Sequence, residues 1–171
     1  MKWINRILLL LLIFNIILVG VSWVMSLYAY PKLPQVTPLW LDLFGSTFFR
    51  TEKSLLFFIC PTAQTVFFLV FNFLGRSKWF RRIAGRGASE IQSGKGKTPF
   101  FALEKEFIYL ALIFFNLIFI HVQRSLILVA HGVEKGVDSF YFWSLFGILL
   151  LLIPYYRIRK KIMNQKRKEI G

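Results

Sequence analysis

YPKLPQVTPLWLDLFGSTFFRTEKSLLFFICP, residues 30–61, leaves one long apolar run and enters another. Pro31, Pro34 and Pro38 lack amide hydrogens and push the residues before them toward extended geometry, so a helix arriving at Tyr28 stops here. Beyond the prolines, Leu39, Trp40, Leu41, Leu43 and Phe44 are too apolar for a loop bathed in water, while Asp42 and Gly45 suit a hydrocarbon span poorly. The stretch reads as an outward hairpin between two membrane helices, with these residues lying in the lipid interface.

The runs on either side agree. Lys2 and Arg6 precede an almost unbroken apolar run over residues 7–29, long enough for a bilayer core that needs about 20 helical residues. A secretory signal has an apolar region of only ~7–15 residues and ends in small residues, so this run is expected to be an uncleaved anchor. Asn15, Ser22 and Ser26 recur at spacings that place them on one helical face, which should look into a bundle. After the hairpin, span two is expected over residues 54–74. It is interrupted by Cys60-Pro61-Thr62-Ala63-Gln64-Thr65, which reads either as a proline kink sustained by interhelical hydrogen bonds or as a polar patch lining a substrate path.

Residues 75–106 change character, with Arg76, Lys78, Arg81, Arg82, Arg86, Lys95, Lys97 and Lys105 set among glycines. This is expected to be a basic cytoplasmic loop, and Lys78-Trp79-Phe80-Arg81-Arg82-Ile83 suits a short helix resting on anionic headgroups. Gly96-Lys97-Thr98 has the ending of a phosphate-binding loop, but Ile91 stands where the first glycine would be and no strand precedes it. Nucleotide binding is therefore not expected there.

Span three, residues 107–130, carries Asn116, His121, Gln123, Arg124 and Ser125. An arginine at the bilayer centre costs at least ~2.5 kcal/mol, so Arg124 is expected to reach the outer headgroups or pair with Asp42, Glu134 or Asp138. Tyr109, Asn116 and Gln123 recur at heptad spacing and point to a polar seam; His121 and Arg124, one turn apart, should face roughly the same way. His121 reads as an interhelical hydrogen-bonding residue or as a proton- or ligand-responsive site. With two histidines and no close ligand pair, no metal site is expected, and no paired-carboxylate or nucleophile-base constellation supports an enzyme. Span four, residues 140–156, has aromatic residues at both ends, and the tail over residues 157–171 is basic.

Composition fits this reading. The chain of 171 residues is 56% hydrophobic with 20 Phe, and its apolar residues are gathered into runs, which is a membrane composition. A net charge of +14 would point to nucleic acid in a soluble protein. Here seventeen of the 22 Lys and Arg fall in the N-terminus, the central loop and the tail, while Lys32, Arg50, Lys53 and Lys135 alone fall in the outward segments. That asymmetry favours an all-α bundle of four transmembrane helices with both termini in the cytoplasm, touching anionic headgroups rather than nucleic acid. A single cysteine, Cys60, excludes an intrachain disulfide.

Leu33-Pro34, Pro38, Trp40, Asp42, Gly45 and Lys53 ahead of an apolar run containing Pro61 resemble a bacterial membrane module of unknown function. That module occurs at the N-terminus of the immunity and signalling proteins for the spore-delay toxin. The resemblance covers about the first 75 residues of the 171. Trp40 stands where the family has a histidine, Leu41 where it has an aromatic, and Val36 precedes Thr37 where it has its aliphatic residue beside the proline. The resemblance implies a membrane module with an outward loop, in a bacterial cytoplasmic membrane, and it carries no toxin- or metal-binding role onto Trp40.

The expected function is a non-enzymatic protein that binds a partner, peptide or lipid through its outward loop, with Pro34, Pro38, Trp40, Asp42, Gly45 and Lys53 as candidates. The alternative is a small transporter or permease component with a polar path formed by Gln64, Asn116, His121, Gln123 and Arg124. Neither reading calls for a cofactor.

Overall fold

The computed structural model describes residues 2–41, 47–74 and 98–170. Four helices, α1 (Lys2–Ala29), α2 (Ile59–Leu74), α3 (Thr98–Ala130) and α4 (Ser139–Ile170), accompany two strands, β1 (Val36–Leu41) and β2 (Thr47–Glu52). Segments Arg6–Lys32, Leu55–Phe73, Ala102–Ala130 and Ser139–Ile162 are each long and apolar enough to cross a bilayer.

Polarity is turned outside in. Leu10, Val24, Leu69 and Leu151 are exposed, whereas Asn15, Ser22, Gln64, Asn116 and Gln123 are buried. In water that arrangement would expose apolar surface and sequester polar groups at once. In hydrocarbon it is the stable one, because lipid solvates leucine as well as a protein core does and polar groups must find partners inside. The chain is a multi-pass helical membrane protein.

α3 is the central helix. It packs against α1, α2 and α4, and β1 also rests on it. α1 and α3 run parallel: Asn15 meets Tyr109 and Asn116, while Ala29 packs near Ile127 and Ala130. α2 runs the other way, since Phe57 just ahead of it reaches Gln123 and Phe67 stacks on Phe115 and lies tilted against Phe119. The sheet and the α3–α4 turn therefore lie at one end of the bundle, called here the hairpin end.

Local chemistry fixes the element ends. α1 passes into a 3-10 turn, Tyr30–Lys32, with Pro31 in it, and Leu33 before Pro34 is extended at ψ 141°. α3 ends on Gly132 at φ +71°, with Gly132 N–H donating to Val129 O at 3.0 Å and Val133 N–H to Leu128 O at 2.9 Å. This is the paired bonding of a glycine helix stop, which needs the left-handed conformation glycine adopts without strain. α4 starts on Asp138, whose Oδ1 accepts from Phe140 N–H at 3.0 Å and Tyr141 N–H at 3.3 Å. These bonds satisfy donors that have no partner within the helix.

Several expectations change. The expected interfacial hairpin after span one is a two-stranded sheet, so the chain is mostly helical rather than all-α: β1 and β2 pair as Val36↔Glu52, Thr37↔Thr51, Pro38↔Arg50, Trp40↔Phe49 and Leu41↔Thr47. The register shifts between Pro38, Trp40 and Leu41, where proline offers no ladder donor and Leu39 falls outside the pairing. Pro61 does not kink a span. It is the third residue of α2, after a 3-10 turn at Leu55–Phe58, in the first turn where a missing N–H costs nothing. Pro154 lies inside α4 without ending it, and the basic tail continues the same helix to Ile170. α3 likewise begins at Thr98, ahead of the expected span. The expected headgroup helix at Lys78–Ile83 lies outside the described residues.

Candidate functional site

Two places gather the chemistry, the hairpin and a polar seam between α1, α2 and α3. The hairpin is held at its base. Lys53 N–H donates to Gln35 O at 2.6 Å, and Lys53 Nζ donates to Pro31 O at 3.0 Å while lying 5.0 Å from the centre of the Tyr30 ring. Leu33 is buried with Ala29 and Phe57, and Thr37 of β1 is 1% exposed. The hairpin is thus seated on the bundle. Lys53, expected as an outward binding residue, spends its ammonium and amide on closing the hairpin. Pro34 is exposed at the base, and Pro38 and Trp40 lie in β1. Asp42 and Gly45 lie outside the described residues.

Within the seam, two layers differ. In the first, Asn116 Nδ2 donates to Asn15 Oδ1 at 2.8 Å, and Asn15 Nδ2 donates to Tyr109 O at 3.1 Å and Leu11 O at 2.9 Å. Both asparagines are buried, the Asn15 amide bonding to both helices and the Asn116 amide donating across to Asn15. In the second layer, nearer the hairpin, Trp23 Nε1 donates to Thr65 Oγ1 at 2.9 Å, and Thr65 Oγ1 donates to Pro61 O at 2.8 Å. The residues preceding that pair, Ser22 and Gln64, are both 0% exposed. Yet Ser22 Oγ and both Gln64 amide atoms have no hydrogen-bond partner in the protein. Gln123, also buried, donates Nε2 to Phe57 O at a long 3.5 Å and leaves Oε1 unpartnered. Toward the hairpin the same condition recurs at Ser125 Oγ, Ser54 Oγ and Thr37 Oγ1.

His121 is not in that seam. It is buried at 5% exposure, with Nε2 3.1 Å from Asp138 O and its ring 4.6 Å from the Tyr141 ring. It therefore faces the start of α4, about 200° around α3 from Gln123 at ~100° per residue. Nor does it share an environment with Arg124. The Arg124 side chain is 59% exposed and its Nη2 lies 3.8 Å from Glu134 Oε1, so Glu134 is the partner seen among the described residues, which do not include Asp42. Asp138 is the α4 cap instead. The sequence-derived set of Gln64, Asn116, His121, Gln123 and Arg124 splits three ways: a seam, a turn contact and a surface ion pair.

Sequence reasoning missed three connections. The Asn15–Asn116 clasp joins two faces read separately, and Trp23–Thr65 joins α1 to α2 through residues not ranked as a site. At the other end, Arg159 Nη1 donates to Glu106 Oε1 at 2.5 Å and to Tyr155 Oη at 2.7 Å, with the Phe107 ring tilted against that of Tyr156 at 4.9 Å. The acids Glu104 and Glu106 at the start of span three, facing a basic tail in the sequence, were the available signal. Among the described residues no cluster of three or more His, Cys, Asp or Glu could hold a metal ion. Cys60 is buried with Leu126 and Val137 in an apolar cluster.

Compared with known proteins, the chain matches no family model, no curated protein and no solved structure.

Proposed function

We propose that this is a non-enzymatic protein of a bacterial cytoplasmic membrane, with both termini inside, that binds a protein or peptide partner through its outward hairpin. The observation carrying this reading is that the expected loop is a seated two-stranded sheet. Each strand of such a sheet pairs along one edge, and its other edge offers backbone N–H and C=O groups to an extended segment. Strand addition gives affinity through the main chain and selectivity through alternate side chains, which suits recognition of a peptide. The likeness of the first 75 residues to the spore-delay immunity module supports an immunity or signalling role.

A photo-crosslinking residue at Leu41, at the end of β1, tests this in the native membrane. A discrete protein or peptide adduct is the expected result and names the partner. Adducts with lipid alone, or none, would remove the basis for the reading.

A second reading, a small transporter or permease component, is supported by the unpartnered polar groups of the seam rather than by His121, which faces away from them. Flux of solute or protons in vesicles that is lost on Gln64→Leu would favour it.

A further inference from the structure

The distribution of unpartnered polar atoms has a direction. Among the described residues, the buried side-chain atoms without a partner are Ser22 Oγ, Thr37 Oγ1, Ser54 Oγ, Gln64 Nε2 and Oε1, Gln123 Oε1 and Ser125 Oγ. All lie in the hairpin-end half of the molecule, between the Trp23–Thr65 layer and the base of the sheet. Past that layer come the Asn15–Asn116 hydrogen bond and, one turn before Asn116 on α3, Leu112, 1% exposed. From these facts we infer that the junction of α1, α2 and α3 is an internal water site, entered from beneath the hairpin and sealed by the asparagine clasp.

The chemistry of the orphan groups selects the ligand. Gln64 needs an acceptor for its N–H groups and a donor for its carbonyl, and the serine and threonine hydroxyls can do either. A bare cation would satisfy the oxygens but leave the Gln64 amide hydrogens facing a positive charge. A second protein chain cannot reach groups that are 0% exposed. Water donates and accepts, is small enough for a closely packed junction, and characteristically bridges buried polar groups that lack protein partners. Apolar surroundings do not remove the need. In the membrane interior a glutamine with both ends unsatisfied is strongly disfavoured.

Position explains why water enters at one end. Thr37 and Ser54 carry further unpartnered hydroxyls at the hairpin end, so entering water meets polar groups there, whereas Ser125, ~200° around α3 from Gln123, lies off this face. Beyond Gln64 the route would pass residues whose amides are already spent. The result is a hydrated half-seam, an outer vestibule with a closed floor. This inference does not depend on peptide binding at the hairpin.

Water-edited solid-state NMR on the full chain in lipid bilayers tests it without requiring a variant to fold. Magnetisation started on water should reach the side-chain amides of Gln64 and Gln123 at least ~3-fold faster than those of Asn15 and Asn116, the first pair lying beside ordered water and the second spent on protein groups. Gln64→Leu and Gln123→Leu each delete one signal and so assign it; sequential side-chain correlations assign it if either variant does not fold. Equal, slow build-up at all four amides would overturn the water site. Equal, fast build-up would overturn the closed floor, because water would then reach the asparagines as well.

Discussion

The two layers of the polar seam have similar chemistry and opposite accounting. Asn15 and Asn116 are two carboxamides that meet across α1 and α3, Asn116 donating to the Asn15 oxygen while helix carbonyls take the Asn15 N–H groups. Gln64 and Gln123 are also buried carboxamides, but the longer side chains find one long bond and three unpartnered atoms between them. The first layer is glue and the second is a receptacle. What separates them is register: parallel α1 and α3 bring two short amides to hydrogen-bonding distance, whereas Gln64 sits beside a Thr65 whose hydroxyl is already committed to Trp23 and Pro61.

Breaking the clasp should have the largest effect. Asn116→Leu leaves Asn15 Oδ1 buried without its donor, at an expected cost of about 1–2 kcal/mol. Unfolding in detergent micelles measures it, and Asn15→Leu with Asn116→Leu together should cost less than the sum of the singles. A strictly additive pair would mean that the two amides are not coupled. Next comes Thr65→Val, which removes the acceptor of Trp23 Nε1 and the donor to Pro61 O; a loss of roughly 1 kcal/mol is expected, with a change in Trp23 fluorescence. Gln64→Leu is expected to cost less than either, under ~1 kcal/mol, because water can rearrange around the amide that remains at Gln123. Should Gln64→Leu prove as damaging as Asn116→Leu, the contrast between glue and receptacle would collapse. The smallest effect belongs to Arg124 and Glu134, whose 3.8 Å contact has an arginine side chain 59% exposed. A double-mutant cycle with alanine should return a coupling of no more than ~0.5 kcal/mol.

The same contrast shows how far a sequence of this kind can be read. Asn15, Ser22 and Ser26 on one face and Asn116 and Gln123 on another are visible as helical periodicity, because a helix fixes the angular position of each side chain. Which amide meets which is not visible, since it depends on the offset between helices far apart in the chain. His121 makes the point: spacing put it beside Arg124, but packing of α4 on α3 buried the histidine under Tyr141 while leaving the arginine exposed. Pro61 was misjudged for a related reason. Apolar composition does not mark the first turn of a helix, so a proline that begins α2 looked like one that kinks it. The strands were hidden by the same prolines that announced the corner, since Pro38 argues against a regular ladder and is accommodated here by a register shift.

By itself the sequence determined that the chain carries four helices long and apolar enough to cross a membrane, because about 20 apolar residues in a row have only one stable environment and one way to satisfy their backbone. It also determined the corner after α1 and the presence of polar residues that lipid would reject. Tertiary structure decided which of those residues are satisfied and which await a partner, and it decided that the corner is a sheet resting on α3. Hydrogen bonds reach about 3 Å and are set by helix register, whereas periodicity reports only direction.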